Sequence, residues 1–168
     1  MGIEVRELSP DEWDLWRSLR LAALTEAPSA FGSRLADWEG EGDKEDRWRE
    51  RLSMAGSYNI VAMFDGEPAG MASGVPGEPA DTVELISMWV APSARGHGVG
   101  DVLMQRIEQW AWRNAARSMR LNVAAGNPGA DRLYRHNGFA YTGEDGPRMP
   151  DGARQLVMAK DLQTPGDR

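Results

Sequence analysis

Residues 90–102 read Val-Ala-Pro-Ser-Ala-Arg-Gly-His-Gly-Val-Gly-Asp-Val, and this stretch decides how the chain folds. An apolar run, residues 83–90, precedes it, and a long amphipathic segment, residues 99–115, follows it. The pattern predicts a strand, a glycine-rich turn and a helix. Glycines leave the N–H groups of the turn uncovered, and the helix adds unpaired N–H groups and the positive end of its dipole. With the Arg95 guanidinium at its mouth, this turn is predicted to bind a phosphate group.

Two common kinds of nucleotide site do not fit this turn. The ATP/GTP loop needs a Lys-Ser or Lys-Thr pair after its glycines, and no such pair follows here. The dinucleotide fingerprint needs Gly-x-Gly-x-x-Gly and an acid at the end of the next strand. Here the spacing is Gly96-x-Gly98-x-Gly100, and the next predicted strand, which begins at Met119, ends without an acid.

The turn fits a third pattern, Arg/Gln-x-x-Gly-x-Gly/Ala, as the run Arg95-Gly96-His97-Gly98-Val99-Gly100. One predicted helix and one predicted strand later comes Asn127-Pro128-x-Ala130-x-x-Leu133-Tyr134-x-x-x-Gly138-Phe139. In these two segments the chain resembles the GNAT family, the Gcn5-related N-acyltransferases that use acetyl-CoA. The resemblance extends over residues 3–162, and the two motifs in this order are more specific than either alone.

The resemblance implies an α/β (α+β) fold whose sheet is mixed and mostly antiparallel, with six to seven strands flanked by about four helices. Its two central strands, here residues 83–90 and 119–124, would splay apart at one end. Splaying leaves backbone groups unpaired, and because an unpaired buried group is costly, a ligand that pairs with it binds well. The implied ligand is acetyl-CoA, a co-substrate, with its pantetheine arm along one strand and its pyrophosphate on the turn.

The same resemblance assigns the acetyl-CoA site. The implied cofactor-binding residues are Met88, Trp89 and Val90 for the pantetheine, Arg95, Gly96, His97, Gly98, Val99 and Gly100 for the pyrophosphate, and Asn127, Ala130 and Tyr134 of the second motif. Some of these residues also have a purely structural interpretation. Asn127 can cap its helix, Tyr134 can pack in the core, and His97 is interpreted as a turn residue that contributes only its N–H.

Acyl transfer needs a deprotonated amine, a stabilised oxyanion and an acid near the leaving thiolate. A preset backbone N–H on the splayed strand would serve the oxyanion. Tyr134 is the candidate acid, since the family's tyrosine lies near the sulfur and a phenol of pKa ~10 is only slightly weaker than a thiol of pKa ~8.5. Glu84 is the first candidate for the general base, and it reads equally well as a solvent-facing acid on a strand. Glu26 and Glu41 are weaker candidates for the base.

The acceptor site is expected around the first two predicted helices, residues 9–27 and 43–55. Phe31 and Ser33 lie between them and are candidate acceptor-binding residues, as is Trp89 at the splay. Two of the three have an alternative role, since Phe31 can anchor its loop and Trp89 can pack in the core. On the first helix, the spacing places Trp16 on one face with either Leu19 or Arg20.

Composition limits the class of protein. A length of 168 residues suits one domain, predicted here over residues 1–162, with 163–168 as a loose tail. The chain has no cysteine, which leaves no disulfide and no thiolate nucleophile, and its two histidines stand apart, which gives no support for a metal site. The N-terminus is charged and no apolar run is long enough for a membrane span, so a cytoplasmic protein without a membrane partner is expected. A net charge of −7 argues against nucleic acid as a partner. It would suit a cationic acceptor, but an acidic surface is also common in soluble proteins, and that is the preferred interpretation.

These observations predict an acetyl-CoA-dependent N-acetyltransferase that acetylates a primary amine by direct transfer in a ternary complex. The acceptor is a small-molecule or peptide amine of undetermined identity, and the protein is a monomer or a homodimer. The alternative is a non-catalytic acyl-CoA sensor or interaction module with the same cleft. A different acyl group, such as propionyl or succinyl, also fits the motifs.

Overall fold

The computed structural model describes residues 2–31 and 34–162, and within these ranges the chain forms seven strands and four α-helices. The strands are β1 (Ile3–Glu7), β2 (Tyr58–Phe64), β3 (Glu67–Pro76), β4 (Thr82–Val90), β5 (Ser118–Ala124), β6 (Ala140–Asp145) and β7 (Gln155–Asp161). The helices are α1 (Trp13–Glu26), α2 (Glu45–Leu52), α3 (Val99–Arg113) and α4 (Pro128–His136). No helix in these ranges has the length and apolar character of a membrane span. The predicted tail, residues 163–168, lies outside the described residues.

All seven strands form one sheet in the order β1-β2-β3-β4-β5-β7-β6. Every pair of neighbours is antiparallel except β4 and β5, which are parallel and are joined through α3. The predicted fold class, a mixed and mostly antiparallel sheet with four helices, is therefore confirmed.

The two central strands part after three residue pairs. β4 and β5 are in register only at Thr82↔Ser118, Val83↔Met119 and Glu84↔Arg120. Beyond Glu84, β4 continues along β3 and β5 continues along β7, and neither pairs with the other. The predicted splay is confirmed, and it leaves the facing backbone edges of both strands without a strand partner.

A β-bulge in β4 accompanies the splay. The register with β3 shifts between Ser73↔Ile86 and Met71↔Trp89, so three steps along β4 oppose two along β3. Ser87 lies in this bulge with φ of 56°, an unusual conformation for a residue other than glycine. The extra residue reverses the alternation of side chains along the strand.

Helices cover both faces of the sheet and give two core clusters. On the face covered by α3 and α4, Leu103 and Ile107 pack with Val83 and Leu85 of β4. On the face covered by α1 and α2, Trp16 packs with other fully buried side chains and with Trp89 of β4. Leu85 and Trp89 are four residues apart, an even number, yet they lie on opposite faces because the bulge intervenes.

The element ends differ slightly from the predicted ones. Ser9 and Glu12 form a capping box, with the Ser9 N–H 3.1 Å from Glu12 Oε1, and the first turn is a 3₁₀ helix, Pro10–Glu12. α3 stops at Arg113, because Ala115 takes a left-handed conformation with φ of 62°. The sequence also predicts a strand over residues 139–141, and β6 runs on past it to Asp145.

Candidate active site

The glycine turn presents an open helix N-terminus. Gly96 and Gly98 have φ of 83° and 85°, and Gly98 is the N-cap of the 15-residue helix α3. A Cβ at either position would meet no atom within 4 Å, so the conformation, and not crowding, is what favours glycine there. At Gly100 the reason is contact, because a Cβ would lie 3.1 Å from Leu133 Cδ1 of α4. The turn thus has the free space and the N–H groups that an anion at a helix N-terminus requires.

Arg95 is held at this turn by an ion pair. Its guanidinium contacts the carboxylate of Glu26 at the end of α1, and its Nε donates to the Val90 carbonyl at 3.1 Å. The Trp89 indole Nε1 donates to the same Glu26 oxygen at 3.0 Å. The hydrogen bonds from Trp89 and Arg95 lower the pKa of Glu26. Glu26 is therefore an ionised partner of the turn, which makes it a poor general base.

The free edge of β4 carries the three residues predicted to hold pantetheine. Met88 and Val90 are partly buried against the core on the α3 face. Trp89 is buried on the opposite face. Because β4 has no strand partner on its β5 side here, the backbone groups that point to that side are open to hydrogen bonds with an extended ligand.

The second motif lies against the start of α3. Asn127 caps α4, its Oδ1 accepting from the Ala130 N–H at 3.2 Å. At the other end of α4, Asn137 Nδ2 donates to Asp101 Oδ1 at 2.9 Å. Together with the close approach of Leu133 to Gly100, these contacts place the two sequence motifs side by side. His97 is exposed next to the Phe64 ring, with 4.9 Å between ring centroids, which fits a turn residue.

Tyr134 lies on the inner side of α4, in the core cluster of the α3 face. Its ring meets the edge of Phe139 at a centroid distance of 6.1 Å. Burial raises the pKa of Tyr134 to about 12. The phenol is therefore a weaker acid than its ordinary pKa suggests, and it can donate a hydrogen bond to a thiolate far more readily than it can surrender its proton.

A cavity of about 460 Å³ lies on the α1 face at the point where β4 and β5 part. Its aromatic walls are Trp16, Phe31, Trp38 and Trp48, and its charged lining residues are Arg20, Arg51, Glu84 and Arg148. The cavity brings together Phe31 and Glu84, two of the predicted site residues. Trp89 does not line it, because its indole is turned to Glu26. Ser33, the other predicted acceptor residue, lies outside the described residues.

Glu84 occupies the last paired position of β4 before the splay. Its carboxylate accepts a hydrogen bond from Asn122 Nδ2 of β5 at 3.4 Å. It faces the cavity and not an open strand surface, so it is placed where an acceptor amine could reach it. Glu41, by contrast, is exposed in the short 3₁₀ turn Gly40–Gly42 and does not line the cavity.

The cationic lining residues were not predicted as site residues, among them Arg20 of α1 and Arg51 of α2. A signal for both exists in the sequence. Arg20 follows Trp16 by four residues and Arg51 follows Trp48 by three, so each arginine shares a helix face with a fully buried tryptophan. Among the residues described, no group of three or more His, Cys, Asp or Glu is placed to hold a metal ion.

Comparison with known proteins agrees with this architecture. The model of the Acetyltransferase (GNAT) family matches residues 13–139. N-acetylaspartate synthetase of Rattus norvegicus is 32% identical over 101 residues, which are 60% of this chain and 34% of that protein. Streptothricin acetyltransferase of Streptomyces lavendulae is 35% identical over 92 residues, 54% of this chain and 49% of that protein. The chain therefore spans a third to a half of the length of these curated relatives.

A solved structure shows the same fold over nearly the whole chain. The PaiA N-acetyltransferase of Thermoplasma acidophilum, in complex with coenzyme A, matches with a TM-score of 0.75 at 20% identity, covering 96% of this chain and 99% of that one. The family match covers most of the chain and includes both the glycine turn and the second motif. The chain belongs to the acetyltransferase (GNAT) family.

Proposed function

We propose that this protein is an acetyl-CoA-dependent N-acetyltransferase that acetylates a primary amine by direct attack in a ternary complex. The observation that carries the proposal is the parting of β4 and β5 just after Glu84. At that one place the fold joins an unpaired strand edge, a glycine turn at a helix N-terminus and a cavity with a carboxylate in its wall.

The residues of the chain fit acetyl-CoA as the co-substrate. The N–H groups at Gly96–Gly100 would receive the pyrophosphate, and the free edge at Met88, Trp89 and Val90 would pair with the amides of the pantetheine. Asn127 and Ala130 would flank the site from the first turn of α4. The related fold of PaiA N-acetyltransferase is known in complex with coenzyme A, which supports this assignment.

The two faces of the sheet would supply different groups for the acyl transfer. On the α1 face, Glu84 would accept a proton from the acceptor ammonium, directly or through water, while Asn122 orients its carboxylate. The amine nitrogen then bonds to the thioester carbonyl carbon, a backbone N–H of β4 stabilises the oxygen, and the carbon–sulfur bond breaks. On the α3 face, Tyr134 would donate a hydrogen bond to the departing thiolate, which ends as the thiol by taking up the second proton that the nitrogen loses as the amide forms.

The acceptor is not fixed by the names of the relatives. One is named for N-acetylaspartate and another for streptothricin, which are chemically unlike each other. We propose further that residues 1–162 act as one domain, without a metal, a nucleic acid or a membrane as partner, in the cytoplasm, as a monomer or a homodimer. The net charge of −7 and the absence of cysteine support this setting.

Thiol release in the presence of acetyl-CoA and a panel of primary amines tests the function, with mass spectrometry of the acetylated product. A parallel calorimetric titration with acetyl-CoA measures binding. Turnover above the hydrolysis rate, abolished by Gly98→Glu, is the expected result. Tight binding without turnover would instead identify a non-catalytic acyl-CoA sensor, and turnover with a longer acyl donor in place of acetyl would correct the donor.

A further inference from the structure

The acceptor cavity of this acidic protein has a cationic lining. Arg20, Arg51 and Arg148 line it, and among the residues that the structure describes Glu84 provides the one carboxylate in the lining. Most other arginines whose guanidinium has a polar partner form an ion pair with a carboxylate. Arg17, Arg49 and Arg95 are examples. Within residues 2–31 and 34–162, neither Arg20 nor Arg51 has a carboxylate oxygen within 4 Å.

Arg51 is fixed in place by neutral groups. Its Nη1 donates to Asn59 Oδ1 at 3.0 Å, and its Nη2 donates to Ser73 Oγ at 3.0 Å and to Ser87 Oγ at 3.3 Å. Asn59 and Ser73 are buried, and Ser73 Oγ donates a hydrogen bond to Asn59 Oδ1 at 2.7 Å. The guanidinium also lies over the Trp16 ring, 5.1 Å from its centroid. These contacts orient the cation but leave its charge uncompensated.

Arg20 is the less satisfied of the two. Its guanidinium lies over the Phe31 ring, 4.8 Å from the centroid, and its buried Nη1 has no hydrogen-bond partner among the described residues. Burial lowers the pKa of Arg20 to about 10, with a further contribution from Arg51, and burial lowers the pKa of Arg51 to about 10. Both guanidinium groups are therefore still charged at neutral pH. A buried N–H donor that makes no hydrogen bond, such as Arg20 Nη1, lowers the stability of the protein unless a ligand accepts from it.

We propose that the acceptor is an amino acid, a primary amine with a carboxylate that Arg20 and Arg51 bind. Planar guanidinium groups suit a carboxylate because they offer paired N–H donors. Glu84 in the same cavity would then meet the amine, so the two ends of the ligand match the two signs of charge in the lining. The volume of about 460 Å³ suits a small molecule, and the aromatic walls suit its side chain. This inference rests on the proposed acetyl transfer.

Matched acceptors test the proposal on the unaltered protein. Each set contains an amino acid, its amide and the amine without the carboxyl group, for example leucine, leucinamide and isopentylamine, with further sets built on acidic and aromatic amino acids. We expect kcat/KM for the amino acid to exceed that of its two analogues by roughly 10- to 100-fold, the range expected for a hydrogen-bonded charge. Equal or better turnover of the amide or of the plain amine would overturn the proposal.

Measuring how tightly the acceptor binds tests the carboxylate site independently of catalysis. If no amine is acetylated, the proposed function fails, but the amino acids and their amides can still be titrated calorimetrically into the protein with coenzyme A present. Tighter binding of the amino acid supports the anion site on its own. Equal or undetectable binding of both at millimolar concentration overturns it.

Variants then assign the site to the two arginines. Arg20→Gln removes the charge of a side chain that holds no hydrogen bond in the described structure, and Arg51→Lys keeps the charge but loses the paired donors. We expect each to raise KM for the amino acid roughly tenfold or more while KM for the amide changes little. Arg49→Gln is the control, since it removes a charge from α2 at the pairs with Asp11 and Glu45, outside the cavity. Equal losses for acid and amide would assign the arginines a purely structural role.

Discussion

The carboxylate of Glu26, the last residue of α1, holds the guanidinium of Arg95 in the glycine turn. The two residues are 69 positions apart in the chain. The same carboxylate oxygen accepts the Trp89 indole N–H, so a helix that lines the cavity is tied both to β4 and to the glycine turn.

Glu26→Gln is expected to strengthen acetyl-CoA binding by about two- to fivefold at low salt, because an exposed ion pair of this kind is worth at most about 1 kcal/mol. The glutamine oxygen can still accept from Trp89, so the substitution mainly removes a negative charge beside the turn. Calorimetry at low and high ionic strength measures the effect, which should fade with salt. Glu12→Gln, which removes a pair with Arg6, is the control. Weaker binding would show that Glu26 chiefly orients Arg95.

Gly98→Ala and Gly66→Ala form a matched pair. Both glycines have φ of +85°, and a Cβ at either would meet nothing within 4 Å, so each substitution should cost about 1–2 kcal/mol of stability from conformation alone. Only Gly98 lies at the N-terminus of α3. We expect similar falls in unfolding free energy for the two variants, but a loss of acetyl-CoA affinity, roughly tenfold or more, for Gly98→Ala only. Equal affinities of the two variants for acetyl-CoA would show that the turn does not bind this ligand.

Tyr134→Phe should lower kcat by ~10²–10⁴-fold while leaving the Kd for coenzyme A nearly unchanged. Because the pKa of Tyr134 is raised to about 12, its phenol stays protonated throughout an ordinary assay range, and activity should show no alkaline loss from its ionisation. Tyr141→Phe, at an exposed tyrosine bonded to Asp131, provides the control. If the kcat of the variant is within a factor of about two of the kcat of the unaltered protein, Tyr134 only packs in the core and takes no part in the reaction.

Glu84→Gln should lower kcat/KM near neutral pH by ~10²–10⁴-fold if the carboxylate takes the proton of the acceptor. Raising the pH should restore part of the rate, since the acceptor amine then loses its proton to water. The pH–rate profile of the variant with a good acceptor is the measurement, and Glu67→Gln at an exposed position of β3 is the control. A proportional loss at every pH would contradict a role as base.

The ionisation of Asp43 is expected to make the stability of the protein depend on pH in the acid range. Arg17 of α1 and Trp48 of α2 donate to its carboxylate, with Arg17 Nε and Trp48 Nε1 at 2.7 and 2.8 Å, and these bonds lower its pKa to about 2. A lowered folded-state pKa gives stability that is present above the unfolded pKa, ~3.9, and is lost as the pH falls towards 2. Asp43→Asn should lower Tm at pH 7 and flatten its dependence on pH between 4 and 2. Thermal melts at closely spaced pH values decide this, and a parallel shift at all pH values would contradict it.

Local patterns in the sequence were enough to predict the strand–turn–helix and to identify the second motif, because each of these depends on a short run of residues. The splay was predicted from the resemblance to the GNAT family, since it depends on the pairing of two strands that are distant in the chain. Trp89 shows where local pattern fails. Alternation along a strand places it on the same face as Leu85, and only the bulge at Ser87, which has no clear sequence signature, turns it to α1.

The charges of the cavity depend on partners brought together from distant parts of the chain. Arg51 is oriented by Asn59 of β2 and Ser73 of β3, and Arg20 lies over Phe31 in the segment after α1. Helical spacing marks both arginines as facing inward, but it does not show that no acid meets them. The net charge of −7 suggested a cationic acceptor, whereas the lining of the cavity favours an anionic group on it.

The bulge in β4 has a consequence for how this protein can change. Removing one residue at Ser87 would leave Leu85 and Trp89 on their present faces, because regular pairing with β3 places Gly74 and Met71 opposite them as now. It would also take away the bend that accompanies the divergence of β4 from β5. We therefore expect the number of residues in this strand, more than the identity of any side chain in it, to keep the two strands apart, so a single deletion there should do more harm than most substitutions.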